Sequence, residues 1–226
     1  MSHESRRRPT VEHVEQVMRK FVREYPSAVL FGGWATYLRT GVAKSHDIDV
    51  IVDHPTLDRL RSKYELFESR HVGGRKFELK VDGVGVDVYP VYQWRLGREL
   101  QLPVEALFGW SERIGQARVL TGEAQFAAKM AALLDRPDTL PGEKDRQELW
   151  ALLSAGSGLD FKIVGSLVRQ AGKPPDQQLA LLSKTFDLMD ETPDLSKAER
   201  SKLRQFRTRA LESVRSLGRG ANELDR

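Results

Sequence analysis

The stretch Ser45-His46-Asp47-Ile48-Asp49-Val50-Ile51-Val52-Asp53 decides how the chain is read. Side chains alternate across a strand, so Asp47, Asp49 and Ile51 share one face while Ile48, Val50 and Val52 share the other. Two carboxylates therefore point the same way from one strand, and His46 points away from them, which suits a structural role. A calcium loop is ruled out because glycine is missing at its sixth position and apolar residues run through the segment.

Upstream, Ala28-Val29-Leu30-Phe31 is a short apolar run that stops at Gly32-Gly33, as a buried strand does at a tight turn. A helix over Trp34 to Arg39 should follow, ended by Gly41. Trp34 could stack on a base, but a tryptophan beside a turn and a helix suits the core. Before the strand, Val11, Val14, Val17, Met18, Phe21 and Val22 recur at helical spacing behind a Thr10 cap. His13 on this helix and His71 near a turn read as surface residues.

Downstream, Pro55 to Lys63 reads as a short helix, and Tyr64 to Ser69 and Arg75 to Val81 as strands. Asp82-Gly83 is a two-residue hairpin signal. In the strand after it, Val84, Val86 and Val88 oppose Gly85, Asp87 and Tyr89, which puts Asp87 on the polar face. Pro103 to Phe108 is a short packing or recognition segment. The remainder is helical in pattern, over 122–134, 143–153, 160–171, 176–189 and 196–217, with Gly- or Pro-containing breaks between. The expected fold is therefore α/β (α+β): an arm over residues 1–9, a small mixed-sheet core over 10–118 and a helical lobe over 119–226, with a cleft between core and lobe as the ligand site.

Composition narrows the chemistry. The 226 residues are 40% hydrophobic and 30% charged, ordinary for a globular chain. There is no cysteine, which excludes disulfides, thiolate zinc sites and a cysteine nucleophile. No apolar run approaches the roughly 18 residues of a spanning helix, so no membrane partner and a cytoplasmic location are expected. A net charge of +4 and a pI of 9.3 suit polyanionic partners as well as a plain solvated surface.

Three aspartates on adjacent strands beside a glycine pair that opens a helix have the parts that metal-assisted phosphoryl transfer requires. Magnesium is a hard cation that takes carboxylate and phosphate oxygens. Two ions about 4 Å apart can stabilise the attacking and leaving oxygens of an in-line displacement. Gly32 and Gly33 let a triphosphate approach the backbone, and the N–H groups of the following helix favour its charge.

Gly32-Gly33, Asp47-x-Asp49 and the lone aspartate in Val86-Asp87-Val88 resemble the pattern of the DNA polymerase beta-like nucleotidyltransferase superfamily over about residues 28 to 90. Further on, Phe126-Ala-Ala-Lys129-Met-Ala-Ala-Leu, then Arg136, then Lys144-Asp145-Arg-Gln-Glu-Leu-Trp150, is similar to the helical half of AbiEii and MenT-type toxin nucleotidyltransferases. The resemblance implies a transferase that moves a nucleotide from an NTP to an acceptor hydroxyl. Asp47, Asp49 and Asp87 would hold two Mg2+ ions, with Mn2+ as a substitute, Lys129 would contact the phosphates and Asp145 would support the site. It also implies RNA, in particular tRNA, as acceptor and an antitoxin protein as partner. Where the common first motif is Gly-Ser this sequence has Gly33, and Ser45 is the hydroxyl placed to substitute.

Alternatives stand beside these. The same fold could bind nucleotide or RNA without catalysis, or modify a small molecule or a protein. Lys144-Asp145 reads equally as a helix-surface charge pair. The last helix carries Leu203, Phe206, Ala210, Val214 and Leu217 as a stripe ringed by Arg200, Lys202, Arg204, Arg207, Arg209 and Arg215, which suits either packing with a solvated face or a grip on RNA phosphates.

Overall fold

The structure is a computed structural model that describes residues 8–42, 44–71, 74–91, 94–155, 158–193 and 195–224, with the side chains of 70–75 and 217–224 outside that description. Most of the expected arm, the segment 1–7, and the side chains of His71 and Leu217 thus lie outside the described residues.

Helix α1 (Val11–Glu24) starts where Thr10 Oγ1 accepts from the backbone N–H of His13. It leads into strand β1 (Val29–Phe31) and helix α2 (Gly32–Thr40), which Gly41 ends in the left-handed region at φ 76°. Then follow β2 (Ile48–Val52), α3 (His54–Lys63), β3 (Phe67–His71), β4 (Gly74–Val81) and β5 (Val84–Pro90). Asp82 and Gly83, both at positive φ, form the tight turn between β4 and β5. His13 is exposed, as its surface reading has it, and its ring Nε2 lies 2.9 Å from the Asp82 carbonyl of this turn.

Short elements β6 (Arg95–Leu96), β7 (Leu102–Pro103) and α4 (Val104–Gly109) lead to β8 (Ser111–Ile114) and β9 (Ala117–Leu120). The last pair has no counterpart among the strands expected from the sequence. The sheet has seven strands in the order β3-β4-β5-β2-β1-β9-β8. It is mixed: β2 pairs parallel to β5 and β1 parallel to β9, while the other neighbours are antiparallel. Strand β9 crosses residue 118, where the core was expected to end, and the sheet extends to Leu120.

The two faces of the sheet are buried by different layers. Ile48, Val50 and Val52 pack with Leu30, Val86 and Val88 against α1 and α3. Val29, Phe31 and Ile51, on the other face, join one core with the C-terminal helices. Those helices are α5 (Gly122–Asp135), α6 (Leu140–Ser154), α7 (Phe161–Arg169), α8 (Pro175–Asp190) and α9 (Lys197–Leu224). A mixed sheet with helices on both faces and a helical C-terminal region is the α/β class expected from the sequence.

Helix α5 is buried on nearly every side. Phe126 on α5 meets Phe161 of α7 and Phe186 of α8 with ring centroids 6.1 and 6.3 Å away, which ties three helices together. On α9, Leu203, Ala210 and Val214 are buried, so its stripe is a packing surface. Arg200 and Arg207 are tied to Asp190 and Asp187 of α8, while Lys202, Arg204, Arg209 and Arg215 stay exposed on the outer face. No described helix is long and apolar enough to cross a membrane.

Candidate active site

Strands β2 and β5 bring Asp49 and Asp87 together, because the parallel register makes the two residues direct partners. Asp47 sits just before β2 and is exposed; its Oδ1 accepts a 2.5 Å hydrogen bond from Ser45 Oγ. The hairpin register makes Glu78 the partner of Asp87 across β4 and β5. Lys76, two residues earlier and so on the same face, donates to Asp87 Oδ2 at 2.5 Å and lies 3.1 Å from Glu78 Oε1.

Burial and like charge set the protonation of this cluster. Burial, then the Asp47 and Asp87 carboxylates, push Asp49 up to about 8, against the pull of Lys129 and Lys76. Burial also raises Asp87, with the Asp47 and Glu78 carboxylates adding to the rise and Lys76 opposing it. Burial draws the Lys76 ammonium down, but Asp87 and Glu78 outweigh it and hold it above the ordinary lysine value.

A carboxyl that keeps its proton in the folded chain, and loses it above about pH 4 when unfolded, destabilises the fold progressively as pH rises from about 4 to about 8. In chelator, Asp49→Asn should therefore gain thermal midpoint on the native chain across that window, as scanning calorimetry at several pH values would show. An unchanged difference between pH 5 and 8 would mean that Asp49 ionises normally.

The glycine pair faces these carboxylates. Gly32 opens α2 at φ +65°, and a Cβ there would overlap the Asp49 carboxylate. A Cβ on Gly33 would come within 2.8 Å of Ser45 Cβ, 2.9 Å of Ser45 Oγ and 3.2 Å of Lys144 Nζ. Bare backbone is thus required at both positions, for strain at the first and for space at both. Gly32→Ala should cost roughly 1–2 kcal/mol for the left-handed backbone alone, with further loss from displacing Asp49, and urea unfolding would measure it.

Under the glycine turn lies a buried polar network. Gln125 Nε2 donates to the Gly32 carbonyl at 2.7 Å and to Thr36 Oγ1 at 3.0 Å. Lys129 is 8% exposed; it meets Asp145 Oδ1 at 3.0 Å and also pairs with Glu148. Asp145 and Glu148 are 1% and 0% exposed. Burial acts to lower Lys129, but these two carboxylates more than offset it. Arg136 Nε donates to Asp145 Oδ2 at 2.8 Å, and its side chain is 45% exposed, reaching toward the space that holds Asp49 and Tyr89. Lys144 Nζ, 36% exposed, donates to Ser45 Oγ at 3.3 Å.

The structure thus brings Asp47, Asp49, Asp87, Gly32, Gly33 and Ser45 to one end of the sheet, with Lys129 and Asp145 packed beneath them. Lys144 and Asp145 are not a surface pair: Asp145 points inward and Lys144 toward Ser45. Trp34 is fully buried and His46 is exposed. Lys76, Glu148 and Arg136 are site residues that the motifs alone did not assign. Signals for them exist in the sequence: counting back from the Asp82-Gly83 turn puts Glu78 opposite Asp87 and Lys76 on its face, and Glu148 lies one helical turn after Lys144 and Asp145.

Among the described residues, no three acidic or histidine side chains close into a ready coordination shell; Asp47 accepts from Ser45 and Asp87 pairs with Lys76. The donor chemistry nonetheless fits a hard divalent cation: the ligands are all oxygen, they lie on one face, and Asp49 is raised first by burial and then by the like charges of Asp47 and Asp87, which a cation between them would offset.

The chain matches no protein-family model and no protein of curated function. Its fold is similar to several solved structures at low identity. A protein from Helicobacter pylori provisionally assigned as a nucleotidyltransferase is 15% identical over 97% of this chain and 98% of its own, with a TM-score of 0.45. Another so assigned, from Thermotoga maritima, is 18% identical over 55% of this chain and 88% of its own, with a TM-score of 0.43. An antigenic nucleotidyltransferase-like protein from Paracoccidioides brasiliensis is 17% identical over 76% of this chain and 91% of its own, with a TM-score of 0.39. Assignments at the site rest on the side chains of this chain.

Proposed function

We propose that the chain is a metal-dependent nucleotidyltransferase that moves a nucleotide from an NTP to an acceptor hydroxyl. One observation carries this reading: Asp49 and Asp87 are register partners on adjacent parallel strands, with Asp47 at their entrance and the Gly32-Gly33 turn beside them. In the reaction the acceptor oxygen bonds to the α-phosphorus, the α–β bridging bond breaks, pyrophosphate leaves and the hydroxyl proton passes to solvent.

Asp47, Asp49 and Asp87 would hold Mg2+, or Mn2+ in its place. When bound, the metal supplies positive charge for the triphosphate and for the attacking and leaving oxygens. Ser45 and Lys144 pack against the bare backbone at Gly33 and would supply a hydroxyl and a cation beside the triphosphate. Arg136, held by Asp145 yet half-exposed, is a second cation for the departing phosphates. Lys129 supports the site from beneath, by orienting Asp145 and Glu148.

The acceptor we propose is RNA, tRNA included. The exposed cations on the outer face of α9 and the pI of 9.3 support a polyanion. The toxin setting, with an antitoxin protein that silences transfer, is proposed from the sequence resemblance in Lys129, Arg136 and Lys144-Asp145.

The test is incubation of the protein with each labelled NTP, Mg2+ and total RNA, read on a denaturing gel with Asp49→Ala as control. Label in RNA with the native chain alone is the expected result. Metal-dependent NTP binding without labelled RNA would move the acceptor to a small molecule or a protein. NTP binding that ignores both metal and Asp49 would favour a non-catalytic binder.

A further inference from the structure

The Lys76–Asp87 pair bears on how the proposed metal site fills, so the role assigned to it rests on the metal-dependent reading of that site. Lys76 and Glu78 lie two apart on β4, so both project from the face that carries Asp49 and Asp87. The placement is set by backbone pairing, since Glu78 opposes Asp87 and Ser69 of β3 opposes Lys76. The lysine is embedded rather than solvated, with its side chain 14% exposed and that of Asp87 18% exposed. Its ammonium touches Asp87 Oδ2 at 2.5 Å and Glu78 Oε1 at 3.1 Å.

A carboxylate that accepts so short a charge-assisted bond has given one oxygen to a cation already. A divalent ion on the other oxygen of the same carboxylate would sit close to that ammonium, and like charges in a partly buried site repel strongly. Asp47 carries no such burden. Its partner is the Ser45 hydroxyl, which can rotate and leave without moving a charge.

We infer that Lys76 is a built-in counter-cation that keeps Asp87 out of the metal shell, so that the NTP-free chain takes one divalent cation, at Asp47 and Asp49, and a second only when Lys76 is displaced. Glu78 is already within reach to receive the displaced ammonium. The second ion then enters with the triphosphate, whose charge draws Lys76 away from Asp87. The device ties completion of the site to the presence of substrate.

The experiment counts Mn2+ bound to the full chain without NTP, from the loss of the free-ion electron paramagnetic resonance signal. The native chain and Lys76→Arg, which keeps the charge, should bind one ion. Lys76→Met should bind two, with the second site about tenfold tighter or more than any second site on the native chain. Circular dichroism checks its fold, and Lys76→Gln replaces it if Lys76→Met does not fold. Two equivalent ions on the native chain, or one ion on a folded charge-free variant, would overturn the inference and leave the metal site standing. No Mn2+ binding to the native chain, or binding that Asp49→Asn leaves unchanged, would overturn the metal-site reading and this inference with it.

Discussion

On the proposed function, Asp49→Asn should lower nucleotide transfer by about a thousandfold or more, which corresponds to roughly 4 kcal/mol of transition-state stabilisation, and should leave the chain folded. Both halves follow from the same surroundings. The carboxylate lies against Gly32, between Asp47 and Asp87, where burial and like charge oppose its ionisation. Asparagine fits the same space and removes the repulsion, so the fold gains rather than loses at neutral pH. The proposed transfer would need the carboxylate as a cation ligand, and the amide oxygen, being uncharged, would be a weak substitute. The measurement pairs single-turnover transfer with thermal unfolding of the same preparation. Full transfer by a folded Asp49→Asn would remove Asp49 from the chemistry, whereas loss of transfer together with loss of fold would make the residue structural.

The second large effect is on stability. Lys129→Met should destabilise the chain by about 3–5 kcal/mol, the usual result of removing one partner from a buried ion pair. For a chain of this length that is a drop in melting midpoint on the order of 10 °C. Glu148 is the reason. It is fully buried, its strongest contact is Lys129, and what remains is Lys144 at 3.6 Å and Thr36 at 3.5 Å. Asp145 suffers less, because it keeps Arg136. The double variant Lys129→Met/Glu148→Gln should recover much of the loss, since neutralising both ends removes the unpaired charge. If Lys129 served chiefly to contact phosphate, the single variant would instead melt normally and lose NTP affinity, and calorimetry with and without NTP separates the two results.

The site and the sheet that carries it differ in how far they are legible in the sequence. Asp47 and Asp49 share a face and Asp87 takes the polar face of its own strand because strand alternation is a local rule, while the β2–β5 register brings the two strands' carboxylates together; the glycine pair stands out because the turn it makes is local too. The hairpin at Asp82-Gly83 is equally plain. Strands β8 and β9 are not: each has four residues, β8 reads Ser-Glu-Arg-Ile with a single apolar side chain, Arg118 interrupts the apolar pattern of β9, and β9 is held in the sheet by β1 on one side and β8 on the other. The partners of the site residues are out of reach for a related reason. Lys144 meets Ser45 across 99 positions and Gln125 meets Gly32 across 93, distances over which spacing carries no information.

By itself the sequence determined which residues face together within each element, the α/β class, and the set of oxygen donors at one end of a strand. Period-two and period-3.6 patterns and the chemistry of glycine act within a few residues and survive without a partner. Only the tertiary structure decided that Lys129 is held between two buried carboxylates and that Lys76 stands on Asp87. A buried charge is placed by whatever opposite charge the folded chain brings to it, and that depends on strand register and helix docking.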